Sequence, residues 1–571
     1  MRGAEALVQM LLEYKVEVIF GVPGDTSLLF YEAIYDASPK IRHIMARDER
    51  SASFMADAYA RISYKPGICE CPSGAGALYS VPGVAEAHAS SIPVILFTSD
   101  ISLADEGRGA ITALDHHKLF EPITKWSSFL KQTDKIPETI RRAFRVATTG
   151  RPGAVHLAFP QEVLGGPFQL GRQAIFAEAE CIDYPAYRTR GGQKVLEEAV
   201  THLLKAVRPV IIAGGGANHS QAHAEVLALS EWLAAPVVTT ISGQGIMPDD
   251  HPLALGVVGD NGFHPYANQA VEEADLLLYV GCKRGSVSTI RWTLPSYQPT
   301  RRIIQIDLDP LQLSNNFANT LDIAGDARLV LKDLLQLLAR EGKSRKPSPW
   351  VEALNRIRSR FWEEAEAALH SDAVPIKPER IVHALNQRLP SPSIVIADAG
   401  TPTPYITRFL KLQGGGSRFL IPRSYGGLGY AIPAAVGAYF ARPEARVVGL
   451  FGDGSMGMSA GELETLARLN IPAVLIHFNN GCFGWIKALQ ALHCDSKFLS
   501  VDFNAGNMAQ VAEGFGLRAF HVEKPDELEK ALDAAFSYRG PVFLDVVTAP
   551  EITELPPVHS WLKKAELKKK S

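Results

Sequence analysis

The stretch VVGLFGDGSMGMSAGELETLARLNIPAVLIHFNNGCFG, residues 447–484, joins two apolar runs, each ending in residues that offer hard oxygen ligands. Val447–Phe451 reads as a buried strand that breaks into Gly452-Asp453-Gly454-Ser455. A helix expected from Ala460 to Leu469 would present free N–H groups to an anion. The run AVLIHF then ends in Asn479-Asn480, and Asn480 follows Asp453 by 27 residues, one strand–helix–strand crossover. Parallel α/β sheets bind ligands at the carboxyl ends of their strands. Two adjacent strand ends thus offer a carboxylate and an amide oxygen, a set that suits octahedral Mg2+ shared with phosphates. GDG alone is an ordinary turn. The specific signal is the joint pattern of GDGS, helix, apolar strand and NNGCFG at this spacing.

Outward from this stretch the same alternation recurs. Val16–Phe20, Val94–Thr98 and Ala154–Phe159 read as strands of a first block ending near residue 165. A polar, glycine-containing stretch, 165–192, leads to a second block with strands Val210–Ala213, Leu276–Val280 and Ile303–Ile306. The segment EGKSRKPSPW, 341–350, reads as a linker. The third block, about 375–550, adds Ile394–Ala397 and Val542–Val547. Strands alternating with helical patterns predict an α/β fold of doubly wound parallel-sheet domains. GRPGAVHLAFPQEV (150–163) and RGPVFLDVVTAPE (539–551) echo each other as a turn–strand–proline phrase closing the first and third blocks.

With 571 residues the chain exceeds one core, and two to four domains are expected. A net charge of −3 provides no field to recruit nucleic acid or an anionic membrane. The amino terminus reads as an amphipathic helix through Leu7, Val8 and Leu11 rather than a signal peptide, and no run is long enough to span a bilayer. Six scattered cysteines fit reduced thiols and a cytoplasmic location. Lys563 to Lys570 reads as a frayed, solvated tail.

RDERSASFMADAYAR, 47–61, reads as a helix with Glu49 at its start. Taken alone, Glu49 is a first-turn acid favoured by the helix dipole. Further on, Ser424-Tyr425-Gly426-Gly427-Leu428-Gly429 brackets a leucine with glycines, which favours close backbone approach to something.

Together these phrases, with GVPGD upstream and CPSGAGALYSVPGVAEAHASSIPV downstream of Glu49, resemble the thiamine-diphosphate enzymes of the acetolactate-synthase type. The resemblance spans essentially the whole chain. It implies a pyrimidine-binding domain (1–170), a central Rossmann-like domain (190–340), a diphosphate-binding domain (372–552) and a C-terminal tail (553–571). It implies Mg2+ on Asp453, Asn480 and the Cys482 carbonyl, and diphosphate contacts from Gly400, Thr401, Gly454, Ser455, Phe483 and Gly484. Glu49 would sit at pyrimidine N1′ and favour the tautomer whose 4′-nitrogen takes the thiazolium C2 proton. That role asks for a buried carboxyl with a raised pKa. Leu428 would prop the two rings apart, while the Gly426 carbonyl and Leu428 N–H grip the pyrimidine. A homodimer or homotetramer follows, with the cofactor at the subunit interface.

The implied reaction is acetolactate-synthase-like decarboxylation of a 2-oxo acid with carboligation. The departures concern substrate. Aligned on ITKW, the family's phenylalanine–glutamine–glutamate phrase becomes Ile111-Thr112-Ala113, and its acceptor-selecting tryptophan becomes Ala488 or Leu489. Asp25, and the pair His116-His117, resemble the Asp and His-His of pyruvate decarboxylases, although the pair lies nearer the following strand than it does there. A histidine near neutral pKa is a natural proton shuttle; a solvated helix start is the plain alternative. A simple 2-oxo acid decarboxylase or a 2-hydroxyacyl lyase is therefore the runner-up. Two other classes are a non-catalytic paralogue that keeps the fold and a nicotinamide oxidoreductase. GGGAN after Ala213 is not a dinucleotide fingerprint, and CKRGSVST replaces the phrase that accompanies FAD in the family, so FAD has no support in the sequence.

Overall fold

A computed structural model describes residues 1–412, 417–504 and 506–570. The apolar runs form three six-stranded sheets, all parallel. Strands buried on both faces read as continuous apolar runs, which is why they stand out in the sequence.

The first sheet contains β1 (Val18–Gly21), β2 (Arg42–Met45), β3 (Gly67–Cys71), β4 (Val94–Asp100), β5 (Trp126–Phe129) and β6 (Val155–Pro160), in the order β2-β1-β3-β4-β6-β5. The second contains β7 (Pro209–Ala213), β8 (Val237–Thr239), β9 (Ala254–Val257), β10 (Leu276–Val280), β11 (Arg302–Asp307) and β12 (Leu321–Ala324), in the order β12-β11-β10-β7-β8-β9. The third contains β13 (Ser393–Ala397), β14 (Arg418–Leu420), β15 (Arg446–Gly452), β16 (Val474–Asn479), β17 (Arg518–Val522) and β18 (Val542–Val547), in the order β14-β13-β15-β16-β18-β17. The first and third orders are the same, and the echoing phrases are their sixth strands, β6 and β18. The second has the order of a dinucleotide-binding sheet, with its switch point between β7 and β10.

Two compact units result. One comprises Met1–Tyr187, Pro422–Val447 and Gly457–Ala473; the other comprises Arg188–Ile421, Val448–Met456 and Val474–Ser571. In the first, helix Ala431–Ala441 crosses helix Glu49–Ser63 at backbone contact: a Cβ on Gly437 would lie 2.0 Å from the Met55 carbonyl. Tyr430 Oη donates to buried Asp57 (2.7 Å), which also pairs with Arg61 (2.7 Å). Glu86 accepts the backbone N–H groups of Arg423, Ser424 and Tyr425 at 2.9–3.1 Å. The loop 423–429 is thereby tied to the unit that holds Glu49.

Three expectations need correction. A helix begins at Asp453 itself and runs to Ser459, and a second covers Glu462–Arg468, in place of one helix from Ala460 to Leu469. The 341–350 linker is shorter than read, because Pro349 and Trp350 open a 21-residue helix, Pro349–Leu369, capped by Ser348. The C-terminal lysines lie on helix His559–Lys570, not on a frayed tail, because Val558 and Trp561 at its start bury against Ala488 and Leu492. No helix among the described residues is long and apolar enough to cross a membrane.

Candidate active site

β15 and β16 are neighbours in register Phe451↔His477 and Gly452↔Phe478, so their ends bring Asp453 and Asn480 together. The Asn480 backbone N–H donates to Asp453 Oδ2 at 3.0 Å. Burial holds the Asp453 carboxyl above its ordinary pKa, and His477 beside it pulls the other way. His477 Nε2 lies 3.6 Å from Asp453 Oδ1 and is buried without a hydrogen bond among the described residues, while its Nδ1 pairs with Asp545 at 2.8 Å. Burial pushes Asp545 up, but hydrogen bonds with His477, His521 and Asn479 outweigh it, and its pKa lies below the ordinary value.

Cys482 turns back on this pair: its N–H and thiol both point at Asn480 Oδ1, at 3.3 and 3.2 Å. Gly484 opens helix Gly484–His493, and Phe483 packs edge-on to Phe503. Gly400, at φ +105, has open space where a Cβ would stand, and Thr401 beside it is buried. Ser455 is buried, with Gly454 half-buried before it. A carboxylate, an amide oxygen and a peptide carbonyl form a hard donor set, and the open cradle at Gly400 leaves room beside it; both fit Mg2+ with a diphosphate.

Sequence reasoning missed Glu551 in this cluster. It follows β18 by four residues, is buried, and accepts Asn480 Nδ2–H at 3.0 Å. The only sequence signal was its place in the TAPE phrase of the echo.

In the other unit, Glu49 opens helix Glu49–Ser63 behind the Asp48 cap, which accepts from Ser51 N–H at 2.7 Å. Its side chain is buried against the turn after β3: a Cβ on Gly76 would stand 2.9 Å from Glu49 Oε1. Burial raises its pKa, with Asp48 adding to the shift and a backbone hydrogen bond opposing it. A second buried acid, Glu70 on β3, accepts from Tyr31 Oη at 2.7 Å; burial carries it up to about 8, with Glu49 adding to the rise.

The sequence matches three domain families: "Thiamine pyrophosphate enzyme, N-terminal TPP binding domain" over residues 1–119, the "central domain" over 196–334, and the "C-terminal TPP binding domain" over 398–546. It is 36% identical over 562 residues to a probable acetolactate synthase large subunit of Methanocaldococcus jannaschii, covering 96% of this chain and 92% of that one. A probable acetolactate synthase large subunit of Methanococcus aeolicus is 34% identical over 573 residues (98% and 94%), and an acetolactate synthase of Arthrospira platensis 32% over 555 (95% and 93%). The chain belongs to the thiamine pyrophosphate enzymes. Within them it is of the acetolactate-synthase type.

Other features bear on what this thiamine pyrophosphate enzyme acts on. Thr112, at φ +65, sits on the Ser73–Gly74 turn, where Ser73 Oγ donates to its hydroxyl at 2.7 Å. His116 and His117 part company. His116 is buried; its Nε2 faces the Gly74 N–H at 3.4 Å, its Nδ1 meets Thr98 Oγ1 at 3.0 Å, and burial lowers its pKa to about 4. Thr98 reaches His156 Nε2 (2.8 Å), and Ser127 joins His156 Nδ1 (2.9 Å) to His117 Nδ1 (3.1 Å). The Gly74 N–H can only donate, so it sets the direction of the chain. His116 therefore donates from Nδ1 to Thr98, and Thr98 donates to His156 Nε2, whereas the Ser127 hydroxyl has two acceptors on His117, its Nδ1 and, at 3.4 Å, its backbone carbonyl. His117 is exposed on a cavity of about 640 Å3 that Asp100, Ser127 and Lys131 also line. Burial pushes Asp100 up to about 6. Asp25 is exposed, at the start of a 3-10 turn. Leu428 is only half-buried, between Gly426 and Gly429, both at positive φ. Ala488 is fully buried and Leu489 packs beside it, both against the C-terminal helix.

Proposed function

We propose that this enzyme uses thiamine diphosphate and Mg2+ to decarboxylate a 2-oxo acid and ligate the remaining acyl unit to a second carbonyl. The Asp453–Asn480 pair at adjacent strand ends carries the reading. Asp453, Asn480 and the Cys482 carbonyl hold the metal. Gly400, Thr401, Gly454, Ser455, Phe483 and Gly484 cradle the diphosphate. When bound, the cofactor supplies a nucleophilic carbon and an electron sink for the loss of CO2. Glu49, buried with a raised pKa, holds a proton at pyrimidine N1′. The Gly426 carbonyl and Leu428 N–H orient the ring, and the Leu428 side chain braces it.

His117 is the better placed of the two histidines to move a proton, since it is exposed on the cavity while His116 is buried and engaged on both nitrogens. Asp25, exposed on the first turn, is a second candidate for proton transfer. His117, together with Thr112 in place of a glutamine, favours a second reading in which the product is protonated and released without ligation. We further propose a cytoplasmic homodimer or homotetramer whose copies share the cofactor; the identities to acetolactate synthases support that arrangement.

A panel of 2-oxo acids assayed with cofactor and Mg2+ tests the reading, with CO2 release and product masses as readouts. Pyruvate yielding acetolactate supports ligation, and acetaldehyde alone supports the second reading. No CO2 from any 2-oxo acid would sink both.

A further inference from the structure

An asparagine amide presents an oxygen at one end and two N–H donors at the other, and the two ends have nearly the same shape. A metal ligand must offer the oxygen, so something has to decide which way Asn480 points. Two carboxylates grip it from different elements. Asp453 Oδ2 takes its backbone N–H at 3.0 Å, and Glu551 Oε2 takes its side-chain Nδ2–H at 3.0 Å. The NH2 end of the amide therefore faces Glu551, whose Oε2 is its acceptor. Oδ1 then turns the other way, toward the Cys482 N–H.

Glu551 does more than touch one neighbour. A Cβ on Gly484 would stand 1.9 Å from Oε2. One side chain thus meets the turns at Asn480 and Gly484, both of them implied in cofactor binding. It is 2% exposed, and its Oε1 is buried with no hydrogen-bond partner among the described residues. A buried, unpartnered oxygen calls for a donor, and Mg2+ keeps bound waters that can donate.

We propose that Glu551 is a positioning residue that fixes the Asn480 amide with its oxygen toward Mg2+. This rests on the proposed function above. Partners that orient a metal ligand matter nearly as much as the ligand itself.

The test titrates Mg2+ calorimetrically into full-length protein saturated with thiamine diphosphate, for the unaltered enzyme, Glu551→Ala and Glu551→Gln. Removing the carboxylate should raise the Kd for Mg2+ roughly 10- to 100-fold, with the unfolding midpoint of the metal-free protein close to its original value. Gln keeps an acceptor oxygen but can present either end, so its Kd should rise less than that of Ala. If Glu551→Ala does not fold, the Gln variant decides: an unchanged Kd overturns the proposal. An unchanged Kd in Glu551→Ala does the same. Tighter binding there also overturns it and makes Glu551 a competitor of the cofactor instead. Failure of the unaltered enzyme to bind Mg2+ counts against the proposed function itself.

Discussion

The first and third sheets share one strand order and differ at the ends of their third and fourth strands. In the first sheet, β3 runs into Pro72-Ser73-Gly74, a turn that packs against Thr112 and leads to Gly76 beside Glu49, and β4 ends in Asp100. In the third, β15 runs into Asp453 and β16 into Asn480. The interiors differ in step. On β4, Thr98 links two neutral, buried histidines, whereas on β16 His477 is hydrogen-bonded to Asp545 of β18. One topology thus supplies two environments. One buries single carboxyls, Glu49 and Glu70, whose pKa values burial raises; the other clusters oxygen donors suited to a dication. The fold sets where a site forms, and the strand-end residues set what it does.

The sharpest way to break this contrast is to remove one acid from each sheet. Asp453→Ala should abolish the Mg2+-dependent thermal shift caused by thiamine diphosphate; a shift that persists would remove Asp453 from the metal site. Glu49→Gln should keep that shift while lowering turnover roughly 100- to 10,000-fold, with C2–H exchange of the bound cofactor lost by NMR. Near-normal exchange would end the assignment of Glu49.

Glu70 sharpens the same point through stability. Its folded pKa, about 8, lies above the unfolded value for a glutamate, so its contribution is complete below that unfolded value and is lost as pH rises toward 8. Glu70→Gln keeps the shape without the charge. It should therefore gain on the unaltered protein between pH 5.5 and 8.5, by on the order of 3 kcal/mol in unfolding free energy. An equal effect at both pH values would mean that Glu70 is not buried as a neutral acid. The smallest effect belongs to Thr98→Val, which deletes the hydroxyl shared by His116 and His156 and should cost about 1–3 kcal/mol. An unchanged denaturation midpoint would show the histidine chain to be structurally idle.

Strands such as Leu276–Val280 and Val542–Val547 were legible residue for residue, because a strand covered on both faces must be apolar throughout. Helix Pro349–Leu369 was not, although Val351, Leu354, Ile357, Phe361, Ala365 and Leu369 recur at helical spacing, because only three of its residues are fully buried and its start lies inside a proline-containing polar stretch. In the candidate site, Asp453 and Asn480 were legible because one crossover separates them and each ends a recognisable run. His116 and His117 could not be told apart, since which ring is buried depends on β4, β5 and β6.

By itself, the sequence determined the three-sheet α/β class and the cofactor chemistry, since both are written in local runs and in turns attached to them. Only the tertiary structure brought Glu551 onto Asn480, 71 residues away, and closed Glu70 and His156 into the interior. It also placed loop 423–429 in the unit that holds Glu49. The physical reason is range. Strand periodicity and turn chemistry act over a few residues, whereas burial and the partner of a buried acid are settled by segments that meet only when the chain has folded.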